Sequence, residues 1–142
     1  MINIFKNLTI FCSLLSFILS GDIRLGIDVF ENEYIQLVGD KRIALLINHT
    51  SLNSQGKHIV DIISENNLNL VKIFAPEHGY LGNHPAGQKI KNNVDPITGC
   101  ELVSLYGKNK APTNSSMADI DVLIFDIQDI GVRYYTYIST LT

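Results

Sequence analysis

Four short apolar runs, each followed by polar residues, dominate the pattern of the chain. They cover residues 43–47, 70–75, 102–105 and 121–126, and the second is broken only by Lys72. Continuous aliphatic runs, rather than strictly alternating ones, are typical of strands that are buried on both faces. The pattern therefore predicts four strands of a parallel sheet.

Amphipathic stretches separate these runs. Residues 57–66 place apolar side chains at positions 59, 60, 62 and 63, with Asn66 and Asn67 as a stop, which predicts a helix. Residues 28–38 form a second helical candidate, residues 114–117 a single turn, and residues 131–142 a weaker one. Strands that alternate with helices favour an α/β fold, here a Rossmann-like parallel sheet with flanking helices.

Two features bear on how the domain is organised. The connection over residues 79–99 contains several Gly and Pro residues and is long, and such connections are usually functional or disordered. A doubly wound sheet usually continues with further strand–helix units beyond the fourth strand. We therefore expect a truncated domain, with residues 21–142 as the amino-terminal part of a larger protein.

The first twenty residues have a different character from the rest. Lys6 precedes an apolar run over residues 8–19, and the small residues Ser20 and Gly21 follow. This layout predicts a secretory signal peptide over residues 1–20, and hence an exported protein, periplasmic or extracellular. Cys100 is the one cysteine after residue 20, so no intrachain disulfide is expected. No later apolar run is long enough for a membrane span, so no membrane association is expected after cleavage.

Composition narrows the classes of partner. The chain has 142 residues, of which 46% are hydrophobic, and a formal net charge of -3. This length fits one domain, and the hydrophobic fraction fits a packed core. No basic stripe is present to neutralise phosphates, so a nucleic-acid partner is not expected.

Polar residues cluster where the predicted strands end. The first run is followed by Asn48, His49 and Thr50, and the second by Glu77 and His78. The last run ends at Asp126, with Gln128, Asp129 and Arg133 shortly after it. Because ligands of open parallel sheets bind outside the carboxyl ends of the strands, these residues are the candidate site.

Two carboxyls at separate strand ends are suited to acid–base chemistry. Glu77 and Asp126 form the candidate pair, since glycoside cleavage needs one group to protonate the leaving oxygen and another to attack or to activate water. The alternative is that Glu77 caps a loop and Asp126 accepts backbone hydrogen bonds. Metal binding by His49, His78 and Asp126 is disfavoured because the spacing lacks a compact ligand motif. No dinucleotide motif follows the first strand, and no cofactor is expected.

Several short strings together resemble one family. They are Leu-Ile-Asn-His-Thr at 46–50, Ala-Pro-Glu-His-Gly at 75–79, Ser-Leu-Tyr-Gly at 104–107 and the stretch 122–137, which contains Phe-Asp-Ile-Gln-Asp. The chain resembles the NamZ-type exo-β-N-acetylmuramidases, bacterial peptidoglycan glycosidases long catalogued as a domain of unknown function. The resemblance implies a Rossmann-like amino-terminal part, a smaller carboxy-terminal domain and an active site in the cleft between them.

The same resemblance implies an activity and a site. Members of the NamZ-type family release N-acetylmuramic acid from the non-reducing ends of peptidoglycan fragments or muropeptides. By its position in the motif, Glu77 is the leading catalytic carboxylate that the resemblance implies. A further expectation goes beyond the resemblance: Arg133 could pair with the lactyl carboxylate of muramic acid, since a guanidinium binds a carboxylate with two hydrogen bonds. Tyr135 either stacks on a sugar or packs on the sheet. A non-catalytic carbohydrate-binding protein or a decayed remnant remains the alternative, and the oligomeric state is left open. The candidate substrate-binding residues are Asn48, His49, His78, Gln128, Asp129, Arg133 and Tyr135.

Overall fold

The fold is built on a parallel sheet with helices on both faces. The structure is a computed structural model that describes residues 23–76, 79, 81, 93–106, 110–133 and 137–141. In this part of the chain the strands are β1 (Ile43–Ile47), β2 (Leu70–Ala75), β3 (Asn93–Val94), β4 (Glu101–Ser104) and β5 (Val122–Asp126). The helices are α1 (Gly26–Val29), α2 (Ile35–Val38), α3 (Ile59–Glu65) and α4 (Asn114–Met117), with a π-helical turn at Phe30–Tyr34 and a 3₁₀ turn at Ile138–Thr140.

Strand order determines which polar ends become neighbours. The described strands form one sheet in the order β3-β4-β2-β1-β5. β1 pairs in parallel with both β2 and β5, and β2 pairs in parallel with β4. The short β3 pairs antiparallel with β4. The carboxyl ends of the four parallel strands therefore share one rim of the sheet, which confirms the predicted Rossmann-like α/β class.

β1 is buried along its whole length, as its unbroken apolar sequence predicts. Ile43, Leu45 and Ile47 face a cluster that includes the buried side of α3. Ala44 and Leu46 face a second cluster on the other side of the sheet, with Phe74 and Met117. Because successive side chains of a strand point to opposite faces, a core on each face requires apolar residues at every position.

The predicted element boundaries need small corrections. The helix predicted over residues 57–66 is α3, seven residues long, with His58 as its N-cap. It ends where expected, at Asn66 and at Asn67, whose φ of 52° lies in the left-handed region. β4 and β5, which correspond to the third and fourth predicted strands, each begin one residue away from the predicted position. The helical segment predicted from residue 28 begins at Gly26 and contains the π-helical turn.

Two predictions about longer segments change more. The connection over residues 79–99 contains β3 at its far end, which its sequence did not indicate. A weak helix was predicted over residues 131–142; among its described residues, 131–133 lie outside any helix and Ile138–Thr140 form the 3₁₀ turn. No helix in the described ranges is long and apolar enough to cross a membrane. The predicted signal peptide lies outside these ranges and stays a prediction.

Candidate functional site

The rim between β1 and β5 is where the direction of the fold reverses. From β1 the chain crosses to β2 on one side, and it later returns to place β5 on the other side. Register pairs Ile47 with Asp126, so the two strands end side by side. In open α/β sheets such a topological switch point is where ligands bind. We therefore take this rim as the candidate site.

The turn that follows β1 is closed by Asn48. This side chain is 4% exposed, and its Oδ1 accepts hydrogen bonds from the Thr50 N–H at 2.9 Å and from Thr50 Oγ1 at 2.7 Å. Its amide nitrogen donates to no described residue. His49 is exposed on the same turn. The acceptor side of Asn48 thus shapes the turn, and the donor side is available to a ligand.

The carboxyl group of Asp126 is unusual in its burial and in its hydrogen bonding. Its Oδ2 is closed off from solvent and has no hydrogen-bond partner among the described residues. Alternation along β5 places it with Val122 and Ile124, which face the cluster that contains α3. Burial raises the pKa of the Asp126 carboxyl, and the smaller opposing effect comes from His58. An environment that favours the uncharged acid suits a proton donor.

Two residues that the sequence did not single out for the site hold this rim together. Ser51 Oγ donates a hydrogen bond to the main-chain oxygen of Asp126. His58 Nε2 lies 3.0 Å from the main-chain oxygen of Asn48, and its Nδ1 accepts from the Val60 N–H at 3.3 Å. Its position just before α3 is a signal for a cap, but the bonds to the rim join residues distant in sequence. These bonds could not be predicted from the sequence, because the fold sets which residues become neighbours.

The remaining predicted residues divide into two groups. Gln128, Asp129 and Arg133 are described and exposed. Asp129 Oδ1 accepts a hydrogen bond from the Gly131 N–H at 2.7 Å, in a turn where Gly131 has a φ of 69°. Arg133 forms no ion pair with a described residue. Glu77, His78 and Tyr135 lie outside the described residues. The structure thus brings Asn48 and Asp126 to adjoining strand ends, and the convergence of Glu77 with Asp126 stays a prediction.

The described residues give no support for a metal site. Within the described ranges, His, Cys, Asp and Glu side chains form no group of three or more that could hold an ion. His78, one of the three ligands considered from the sequence, is not among these residues. The metal alternative therefore stays a prediction.

A separate cavity of about 430 Å³ lies against the sheet face around Lys72. The Lys72 ammonium is buried and contacts the Ser116 main-chain oxygen at 2.9 Å, Glu101 at 3.1 Å and Asp119 at 3.3 Å. These three acceptors match its three donors, so Lys72 anchors the α4 segment to the sheet. This cavity lies on a face of the sheet and not at the rim.

Fold and rim together define the class: a Rossmann-like α/β domain with a polar site at its topological switch point. Residues 43–142 match the family described as Exo-beta-N-acetylmuramidase NamZ, N-terminal. The chain belongs to this family, as its sequence motifs led us to expect.

Known proteins similar to the chain agree with this assignment. Over 120 residues it is 42% identical to the peptidoglycan beta-N-acetylmuramidase NamZ of Bacillus subtilis, covering 84% of the chain and 29% of that protein. Two solved DUF1343 family proteins from Bacteroides fragilis share 40% and 39% identity, with TM-scores of 0.72 and 0.66. They cover 83% and 85% of the chain, and the chain covers 29% and 30% of theirs. The chain thus spans less than a third of the length of each of these relatives.

Proposed function

We propose that this chain is the amino-terminal part of a peptidoglycan glycosidase that releases N-acetylmuramic acid from the non-reducing ends of cell-wall fragments. The observation that carries the proposal is the carboxyl group of Asp126, held at the switch point in surroundings that favour its protonated form. Support also comes from membership of the family and from the activity named for the Bacillus subtilis relative. No cofactor is required by this chemistry.

Two carboxyls share the chemistry in this proposal. Asp126 ends β5, and Glu77 follows β2 two residues after Ala75 in the sequence. β1 lies between these two strands, so their axes are two strand spacings apart, or about 10 Å. That spacing leaves room for a saccharide over the end of β1. One carboxyl protonates the leaving oxygen, and the other attacks the sugar or activates water.

Substrate recognition is assigned to polar residues around the same rim. The Asn48 amide nitrogen is available as a donor to a sugar oxygen, and the exposed Arg133 guanidinium is suited to the lactyl carboxylate of muramic acid. His49, Gln128 and Asp129 are exposed near the strand ends and complete the described part of the proposed surface. His78 and Tyr135 are assigned to it from their sequence positions.

The test of the activity is release of free N-acetylmuramic acid from a disaccharide that carries muramic acid at its non-reducing end. We expect Glu77→Gln and Asp126→Asn each to lower turnover by about 100-fold or more, since a general acid or base contributes about 10²–10⁴-fold. Glu65→Gln is the matched control, because it neutralises an exposed carboxylate on α3, away from the strand ends.

Three outcomes would contradict parts of the proposal. Unchanged turnover in Glu77→Gln removes Glu77 from the mechanism, and unchanged turnover in Asp126→Asn removes Asp126. Binding of muropeptides by a folded wild-type protein without any sugar release favours the non-catalytic alternative.

Export is a second part of the proposal. It is supported by the charged, apolar and small-residue order of residues 1–21. We expect the protein isolated from its native cells to begin near residue 21, which mass spectrometry of its amino terminus measures. An intact Met1 on protein recovered from the cytoplasm would contradict export.

A further inference from the structure

His58 contacts two structural elements through its two ring nitrogens. Nδ1 accepts the Val60 N–H and thereby caps α3, and Nε2 lies at hydrogen-bonding distance from the main-chain oxygen of Asn48. Only a neutral ring with its proton on Nε2 satisfies both contacts, because a carbonyl oxygen cannot donate. The ring therefore joins the start of α3 to the turn that leaves β1.

Ser51 completes the connection to β5. Its hydroxyl donates to the main-chain oxygen of Asp126 and accepts the Asn48 N–H at 3.3 Å. Both main-chain groups of Ser51 are also hydrogen-bonded: its N–H donates to the main-chain oxygen of Asn48, and its oxygen accepts from the Ile59 N–H. Ser51 is 1% exposed, so water does not compete for these bonds. The ends of β1 and β5 and the start of α3 thus form one bonded unit.

We propose that His58, acting with Ser51, is a positioning residue for Asp126: it fixes the turn after β1 against β5 and so sets the surroundings of the carboxyl group at the switch point. The proposal rests on the proposed role of Asp126 in the glycosidase. Neither His58 nor Ser51 touches the sugar in this scheme.

A cap alone would not require histidine. Asn, Asp and Ser are the favoured N-caps, and each has a side chain too short to reach from position 58 to the Asn48 oxygen as well. His58 is also close enough to Asp126 to lower the pKa of that carboxyl, against the larger effect of burial. Among the described residues, His58 is the one side chain that lowers the pKa of Asp126.

The experiment separates the cap from the connection with His58→Asn. Asparagine keeps a cap acceptor. It loses the bond to Asn48 and the lowering effect of the His58 ring on the pKa of Asp126. We expect the thermal midpoint to stay near that of the wild type. We expect the titration midpoint of the Asp126 carboxyl carbon, followed by ¹³C NMR, to move upward. Where turnover is measurable, kcat and its pH profile should change more than KM.

A second variant makes the test independent of how well His58→Asn folds. Ser51→Ala removes the bond to the Asp126 main-chain oxygen, which loosens the end of β5 and admits water. We expect the Asp126 midpoint to move in the opposite direction, towards its ordinary value. Lys57→Gln is the matched control, since it removes a full positive charge one residue from His58 and should leave the midpoint unchanged.

An Asp126 midpoint that is the same in the wild type, His58→Asn and Ser51→Ala would overturn the proposal. This readout does not depend on catalysis. If the wild-type protein releases no sugar, the proposed function fails while the titration still decides whether His58 and Ser51 position Asp126. If sugar is released and the midpoints coincide, the positioning role alone fails.

Discussion

Among the described residues, the buried polar side chains have hydrogen-bond partners, and the Oδ2 atom of Asp126 is the exception. Asp95, fully buried, accepts from the Thr98 N–H and hydroxyl at 2.8 and 2.7 Å. Lys72 has three acceptors, and Ser51 is bonded through its hydroxyl and its backbone. Buried polar atoms in folded proteins are nearly always paired, because leaving one unpaired costs free energy. The unpaired Oδ2 of Asp126 is thus a cost to stability at a position where a ligand could supply the partner.

This cost predicts a gain in stability from Asp126→Asn. The folded-state pKa of Asp126 is raised by burial, so the acid form contributes stability that is present below the ordinary pKa, about 4, and lost as pH rises through the folded value. At pH 7 the variant should be as stable as the wild type or more stable. Chemical denaturation from pH 4 to 7 tests this. A clear loss of stability at pH 7 would show that the carboxylate has a stabilising partner.

Among the elements, α3 shows most directly how sequence becomes packing. Its apolar positions fall on one side, and Ile59, Val60, Ile62 and Ile63 are all buried against the sheet. Its amino end is capped by His58, and its carboxyl end is closed by the Leu68 N–H donating to the Ile63 oxygen. A helix of seven residues is marginal by itself, so its stability must come from this packing.

Packing of α3 predicts a large cost for Ile62→Ala. Ile62 is fully buried, so truncation removes apolar contacts and leaves a cavity, lowering the free energy of unfolding by about 2–5 kcal/mol. The neighbouring Asp61 is exposed, so Asp61→Ala should change the free energy of unfolding by no more than about 0.5 kcal/mol. Urea denaturation of both variants measures the difference. Equal effects would contradict the assigned buried face.

In the molecule as a whole, residues distant in sequence hold β1 and β5 in register. Asp121 precedes β5, and its carboxylate accepts hydrogen bonds from the Arg42 N–H and guanidinium just before β1, at 2.9–3.1 Å. This contact lies at the amino ends of the two strands, opposite the rim that carries Asn48 and Asp126. The pair therefore fixes the relative position of β1 and β5, and through it the geometry of the candidate site.

This pair predicts a pH dependence opposite in sign to that of Asp126. Hydrogen bonds from Arg42 hold the pKa of Asp121 well below its ordinary value, so the contribution is present above a pH of about 4 and lost as pH falls towards the folded value. Asp121→Asn should lower the thermal midpoint slightly at pH 7, since the pair is exposed. The difference from the wild type should shrink at pH 3 and in high salt. A constant difference would contradict an ionic origin.

Much of the fold could be predicted because its signals are local. The runs that form β1 and β2 have the bounds seen in the structure, and the stop at Asn66 and Asn67 ends α3. The short β3 was missed, because two residues carry no periodicity and its pairing with β4 is a tertiary contact. Asn48 and Asp126 lie at strand ends as predicted, and their part in a site stays a prediction. Ser51 and His58 were not singled out, since their partners are set by the fold.

Local sequence signals specify which segments become strands and helices, that both faces of the sheet are covered, and to which family the chain belongs. These depend on the period of apolar residues and on contiguous motifs, which a linear chain contains in full. The strand order, and with it the position of the ends of β1 and β5 at the switch point, follows from contacts between segments remote in sequence. The same contacts decide the burial of Asp126 and the bonds from Ser51 and His58, because burial and hydrogen bonding depend on neighbours that are remote along the chain.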